Sequence, residues 1–238
     1  MPTVLTPNNS PFSSLVQSKS KKDLAYDFLK NKIVLNEFPE GTVLVERQLC
    51  ELMDASRTPI REAIQQLLNE GLVVNLPGKG AVVSALRYED IVQLYDVREY
   101  LERLAVRLCA LEISEPTIRS LEVIVQQLDQ YLRLPDYTAY YSTDLAFHKT
   151  IVFSTKNDYL IRTYMSLVAQ IERITHYIIG IEVAQLLEVN VTHHEMLANI
   201  KAGDAAAAES ATSRHIQACK SNYLRLFSPS TFMSSQQG

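Results

Sequence analysis

Ser56-Arg57-Thr58-Pro59-Ile60-Arg61-Glu62-Ala63-Ile64 is the stretch that decides the fold of this chain. Pro59 suits the first turn of a helix, because its φ is preset and the amide it lacks would have no partner there. Thr58, just before it, is the expected N-cap. Ile60, Ala63, Ile64, Leu67 and Leu68 then recur at three- and four-residue spacing, so one face is buried while Arg57 and Arg61 stay outside. The free amides of the first turn, with the Ser56 and Thr58 hydroxyls, place donors where a phosphate would sit. Upstream, residues 46–53 form a short amphipathic segment and Asp54-Ala55 a turn. Downstream, Leu72-Val73-Val74 and Ala81-Val82-Val83 read as two strands about a turn at Leu76-Pro77-Gly78-Lys79-Gly80. Helix, turn, basic helix and hairpin in this order predict a winged helix-turn-helix that reads double-stranded DNA.

Net charge does not advertise such binding. The chain carries −4 at pH 7, and within residues 19–86 nine basic side chains are balanced by nine acidic ones. Placement has to supply what total charge does not. Arg57 and Arg61 are expected to contact phosphates and base edges, Arg47 to clamp the backbone, and the wing at Gly78, Lys79 and Gly80 to reach the minor groove. Lys19, Lys21 and Lys22 ahead of the first helix either touch phosphate or are simply solvated. A neutral module makes few phosphate contacts alone, so a homodimer on two half-sites is expected.

The 238 residues suit two domains: a helix-turn-helix unit over 19–86 and a helical unit over 87–227, with a Ser/Pro/Asn-rich tail over 1–18 and a second tail over 228–238. Cys50, Cys109 and Cys219 are odd in number and far apart, which argues against a disulfide framework and for a reducing cytoplasm. No apolar run approaches the roughly 18 residues of a membrane span, and no basic stretch precedes an apolar core at the N-terminus.

From residue 87 onward the punctuation predicts six helices, roughly 88–111, 114–133, 136–154, 158–178, 181–202 and 204–226, with Gly180 dividing the fourth from the fifth. Short connections predict an antiparallel bundle. The expected class is therefore mainly α, with a small β-hairpin wing and an all-α second half. Asp144 and His148, four apart, face one point. His193 lies ten residues before Gly203 and His215 eleven after Asp204. At about 1.5 Å per residue both lie roughly 15 Å from that turn, so a helical hairpin brings them level. Three imidazoles and one carboxylate suit a divalent transition ion such as Zn²⁺, Ni²⁺ or Mn²⁺; the alternative is a set of surface or hydrogen-bonded core histidines. His194 points about 100° from His193, so only one of the two can serve. His176, among apolar neighbours, is assigned to packing. Arg98 either pairs with Glu102, four residues on, or remains available to a ligand.

Residues 23–84 resemble the winged helix-turn-helix of the GntR superfamily of transcription factors: Glu46-Arg47-Gln48-Leu49, the 56–64 stretch, Leu67 to Val73 and Gly78-Lys79-Gly80-Ala81-Val82-Val83 follow its pattern. Asp54 stands where the family usually has glycine, and aspartate tolerates the left-handed turn better than most residues. Residues 90–222 resemble the helical effector domain of the FadR-type (FCD) branch, through Val97-Arg98-Glu99-Tyr100-Leu101-Glu102, Asp144-Leu145-Ala146-Phe147-His148, His193 with Ile200-Lys201-Ala202-Gly203-Asp204, and Arg214-His215. The resemblance implies a regulator, expected to repress, with Asp144, His148, His193 and His215 as metal ligands and His193 chosen over His194. It also implies a small organic acid bound beside the metal, with Arg98 as its second anchor and Arg173 a weaker candidate. A helical-bundle metalloenzyme is the alternative; against it, no Glu-x-x-His pair repeats and no glutamate stands out as a general base.

Overall fold

A computed structural model describes residues 19–112, 114–134, 136–177 and 183–226; the two tails and the break at Gly180 lie outside the described residues. The first half runs α1 (Lys21–Val34), α2 (Glu46–Met53), α3 (Arg57–Asn69), β1 (Val73–Leu76) and β2 (Gly80–Val83). The second half is α4 (Tyr88–Leu111), α5 (Glu115–Arg133), α6 (Tyr137–Ser154), α7 (Asp158–Tyr177), α8 (Val183–Ala202) and α9 (Ala205–Leu226).

Local chemistry sets most of these ends. Ser20 and Asp23 close a capping box on α1. Asp136, Asn157 and Asp204 each accept a first-turn amide, from Ala139, Leu160 and Ala207, at the starts of α6, α7 and α9. Asp54 ends α2 in the left-handed region at φ 45° and ψ 49°, as expected for the turn into α3. The expected cap of α3 is corrected: Ser56, not Thr58, occupies the N-cap position, and no side chain bonds into the first turn. Pro59 consequently sits third in the helix, which costs no hydrogen bond because none of the first amides has an intrahelical acceptor.

The wing is longer than its apolar letters suggest. β1 and β2 pair antiparallel from Val73↔Val83 to Leu76↔Gly80, so Asn75 and Leu76 join a strand expected to end at Val74. Leu72 stays outside it, buried beneath α3. Pro77 and Gly78 are the central residues of a turn in which the Lys79 amide donates to the Leu76 carbonyl at 3.0 Å. Gly78 has φ 77°, the conformation that this turn position demands. Val43 bridges Val82 and lends the hairpin a short third edge.

Apolar spacing decides the packing. Leu29, Ile33, Leu49, Ile60, Ala63, Leu67, Leu72 and Val83 form the core of the first half, and Ala169 of α7 is buried with them. The bundle contains two apolar clusters. Ala105, Phe147, Ile151, Met196, Ile200 and Ala211 belong to one; Tyr95, Tyr140, Val189, Ile216, Cys219 and Tyr223 belong to the other. Arg98 and Glu102 of α4, Asp144 of α6, His193 of α8 and His215 of α9 lie where each helix passes from one cluster to the other, and His148 follows one turn after Asp144. The bundle is thus two apolar layers with a buried polar layer between them.

Helix α7 joins the halves. Its Gln170 side chain donates to the Glu70 carbonyl at 3.1 Å, and Arg173 donates to the Ser84 carbonyl and hydroxyl at 2.7 and 2.9 Å. Glu172 pairs with Lys30 of α1 at 2.5 Å. Arg173, proposed from sequence as a lesser ligand anchor, is instead buried against the linker after β2.

Candidate metal centre and DNA-facing surface

The turn between α8 and α9 sets the depth of the site. The Asp204 amide bonds the Asn199 carbonyl and the Gly203 amide bonds the Ile200 carbonyl, both at 3.0 Å, with Gly203 at φ 69°. That is a Schellman ending, which strongly favours glycine at the left-handed position. From this turn α8 and α9 run antiparallel, and the His193 and His215 rings come within 4.4 Å of each other, centroid to centroid. Helix α6 brings Asp144 and His148 to the same level. One ligand atom from each of Asp144, His148, His193 and His215 lies within 4.8 Å of all the others. His194 is turned away, half-exposed and paired with Asp129 at 3.0 Å. His176 is half-buried and lines a cleft rather than the core.

Each imidazole is held from behind. His148 Nδ1 lies 2.6 Å from Glu102 Oε2, a short but poorly aligned contact. His193 Nδ1 faces Asn190 Oδ1 at 3.3 Å, and the Asn190 amide is oriented by donating to Asp129 at 2.7 Å. His215 Nδ1 faces the Thr192 hydroxyl at 2.8 Å, whose own proton goes to the Val189 carbonyl. At His193 and His215 the outer partner accepts, an arrangement that assigns the proton to Nδ1 and turns Nε2 inward, and Glu102 stands behind His148 on the corresponding side. Burial, foremost, depresses the pKa of His193 and of His215, and the neighbouring imidazoles press that of His215 further down.

The inner geometry is then unbalanced. His148 Nε2 and His215 Nε2 stand 3.0 Å apart, His193 Nε2 and an Asp144 oxygen 3.1 Å apart, and His193 Nε2 is buried with no hydrogen-bond partner. Converging acceptors in a dry layer repel one another, and a cation among them removes that cost. The donor set of nitrogen and oxygen suits a transition ion, and Glu102, Asn190 and Thr192 are the outer partners that such ligands need. The histidines are 0% exposed and the Asp144 side chain 16%, so the approach from outside is on the Asp144 side. Asp144 also lines a cleft of about 600 Å³ between α1, α6 and α7, with Asn31, Lys149, Thr175 and His176 on its walls.

Glu102, read from sequence only as a partner for Arg98, is the hub of this layer. Its carboxylate takes Arg98 Nε at 2.6 Å and the Tyr164 hydroxyl at 3.1 Å, besides the His148 contact. Burial pushes against its charge, but the Arg98 guanidinium and His148 outweigh it and hold its pKa well below the usual carboxylate range. Arg98 does form the local pair with Glu102, and its Nη1 donates to the Tyr95 hydroxyl at 3.2 Å, while Nη2 is buried without a partner. The signal was present in the spacing: Arg98, Glu102, Ala105 and Cys109 share one buried stripe of α4, where a lone carboxylate needs a reason.

On the other half, Arg57 is exposed at the start of α3 and has no ion pair among the described residues. Arg61 is exposed and held by Glu46 at 2.8 Å, and Arg47 lies only loosely near Glu51 at 4.0 Å. With no side-chain cap, the first-turn amides of α3 remain open beside Ser56. Lys79 stands at the tip of the wing between Gly78 and Gly80.

These two halves coincide with two known domains. Residues 21–83 match the gntR family of bacterial regulatory proteins, and residues 93–218 match the FCD domain. The gluconate operon transcriptional repressor of Bacillus subtilis (strain 168) is 30% identical over 151 residues, which is 63% of this chain and 61% of that protein's length. The chain therefore aligns with about three-fifths of that relative. A probable D-xylose utilization operon transcriptional repressor of Paenarthrobacter nicotinovorans is 25% identical over 192 residues, 81% of this chain and 84% of its own. The solved structure of E. coli McbR/YncC has the same fold, with a TM-score of 0.77 at 20% identity over 88% of this chain and 100% of that one. The family and these relatives are regulators, which removes the metalloenzyme alternative. With the basic second helix and wing matched in one half and the histidine-bearing bundle in the other, this chain belongs to the gntR family of bacterial regulatory proteins, in the branch that carries an FCD domain.

Proposed function

We propose that this chain is a cytoplasmic, dimeric transcriptional repressor whose DNA binding is set by a divalent ion and a small carboxylate in its helical half. The observation that carries the ligand half of this proposal is the convergence of one ring nitrogen from each of three histidines and one carboxylate oxygen, all within 4.8 Å of one another, inside the bundle. Asp144, His148, His193 and His215 would hold the ion. An effector oxygen would reach it from the Asp144 side, and the unpartnered Arg98 Nη2 is a donor left for the far end of that effector. A thermal-shift screen of small carboxylates on zinc-, nickel- and manganese-loaded protein tests this; no shift by any carboxylate on any metal form would refute the effector.

Duplex DNA would be read by α3 and the wing. Ser56, Arg57, Thr58 and Arg61 face it from the helix start, Arg47 from α2, and Gly78, Lys79 and Gly80 from the hairpin. A base-edge arginine contributes about 1–3 kcal/mol of discrimination. Arg57→Ala with Arg61→Ala is expected to weaken binding at least roughly tenfold to a duplex selected by the wild-type protein from a random library. Anisotropy titration reads the loss, and unchanged affinity in the double variant would remove the DNA assignment. Freeing Arg61 for DNA requires breaking its exposed pair with Glu46, which is worth little in water.

The dimer would form on α4, with α7 beside it. Val97, Tyr100, Leu104 and Leu111 are exposed apolar residues at helical spacing on α4, and Tyr100 is 71% exposed. A second copy of the same stripe is the self-complementary surface that a two-fold interface requires. Tyr100→Asp with Leu104→Asp is expected to halve the mass measured by light scattering. A wild-type chain that is already monomeric at micromolar concentration while binding DNA as one copy would contradict the dimer.

A further inference from the structure

We propose that the cleft between α1 and α6–α7 binds a monocarboxylate with an apolar body, held by the Lys149 ammonium and distinct from the metal centre. The cleft encloses about 600 Å³, within the range of about 300–1,000 Å³ typical of small-molecule sites. One wall is the outward face of α6, where Leu145, Lys149 and Phe153 follow one another at four-residue spacing. Their neighbours His148 and Val152 are buried in the bundle instead. Leu35, at the end of α1, stands on a second wall, and α7 supplies Ile171 and His176.

Charge selects the occupant. Both carboxylates on the walls are engaged: an Asp144 oxygen lies 3.1 Å from His193 Nε2, and Glu172 pairs with Lys30 at 2.5 Å. Lys149 has no ion pair among the described residues. His176 is neutral near pH 7, because burial lowers its pKa from the ordinary imidazole value. One cation is therefore left, and it matches a single negative charge. A dianion would meet Asp144 and Glu172 as well.

The apolar half of the match comes from Leu35 and Phe153, which are 51% and 47% exposed. Single apolar residues at a surface are ordinary. Here two of them, from different helices, border one cleft that also holds an unpaired ammonium. A carboxylate on Lys149 with its body across Phe153 and Leu35 satisfies the charge and covers both side chains. Such a ligand touches both halves of the chain at once, since α1 belongs to the DNA-binding half and α6 to the bundle. It favours the setting of α1 in which both walls reach it, and DNA affinity should change by roughly 5- to 150-fold at saturation.

The test uses phenylacetate and octanoate as probes on the full chain, with phenylacetamide as the uncharged counterpart. The sequence contains no tryptophan, so Leu35→Trp puts a single indole on the α1 wall. Its emission is expected to change saturably with at least one carboxylate and not with phenylacetamide. Lys149→Met, which keeps the apolar stem, should weaken binding at least roughly tenfold by removing a charge-assisted contact. Lys201→Met, which removes a lysine of α8 paired with Glu122, should leave it unchanged. Calorimetric titration of the chain with Leu35 intact checks the same probes without the reporter. No saturable binding of either carboxylate there, or equal binding by phenylacetamide or by Lys149→Met, overturns the site. Binding that leaves the Leu35→Trp emission unmoved overturns the contact with α1, and DNA affinity unchanged at saturation overturns the regulatory role. Binding that vanishes on chelation places the carboxylate at the metal centre; it supports the effector reading above and overturns this one.

Discussion

If Asp144, His148, His193 and His215 hold a divalent ion as proposed, His193→Ala is expected to purify without it, whereas His194→Ala keeps it. The two residues are adjacent, yet one ring is fully buried with Nε2 among the other donors and the other is about half-exposed against Asp129. Metal analysis of the two purified variants separates them directly. An ion bound only by the folded state adds about 2.7–4.1 kcal/mol when present at 100 to 1,000 times its dissociation constant. For a chain of this size that corresponds to a melting point higher by roughly 5–15 °C in the loaded protein than after chelation. His193→Ala should melt at the same temperature with and without added metal. If His194→Ala loses the ion and His193→Ala keeps it, the choice between neighbours is wrong; if neither matters, the four residues do not bind metal.

Glu102→Ala should be the most destabilising single change in the bundle, by about 3–5 kcal/mol in denaturant unfolding, because it strands the buried Arg98 guanidinium. The pair cannot be valued as a surface bridge: its side chains are 2% and 4% exposed, so water does not replace the missing partner. The same carboxylate orients His148 from behind, so metal affinity should fall roughly 10–100-fold as well. Arg119→Ala, which breaks the exposed pair with Glu115, is the control and should change stability by no more than about 1 kcal/mol. A Glu102→Ala protein with wild-type stability and wild-type metal content would mean that the polar layer is not the coupled unit its contacts describe.

Much of the architecture was legible in the residues. Pro116, Asp136, Asn157 and Asp204 mark helix starts because their side chains or missing amides suit a first turn, and the observed starts fall within about one residue of that expectation. The level of His193 with His215 was also legible, since helical rise fixes distance from a turn. Thr58 misled because a threonine before proline resembles a cap, whereas the backbone had already entered the helix at Arg57. The wing was read too short because Asn75 is polar and an edge strand needs only its backbone to pair.

By itself, the sequence determined the elements, their order, the helix-turn-helix with its basic start and the common level of His215 with the His193–His194 pair; the choice of His193 is what the family resemblance implied. The elements and that level follow from 3.6-residue periodicity and turn chemistry, which are local and repeat regardless of what packs nearby. Only the tertiary structure decided which histidine nitrogen faces inward, because Glu102, Asn190 and Thr192 reach those rings from α4 and α8. It alone decided that Arg173 and Gln170 of α7 clasp the DNA-binding half through Ser84 and Glu70. Those outcomes depend on side chains brought together from distant positions, where burial turns a weak local preference into a requirement for a partner.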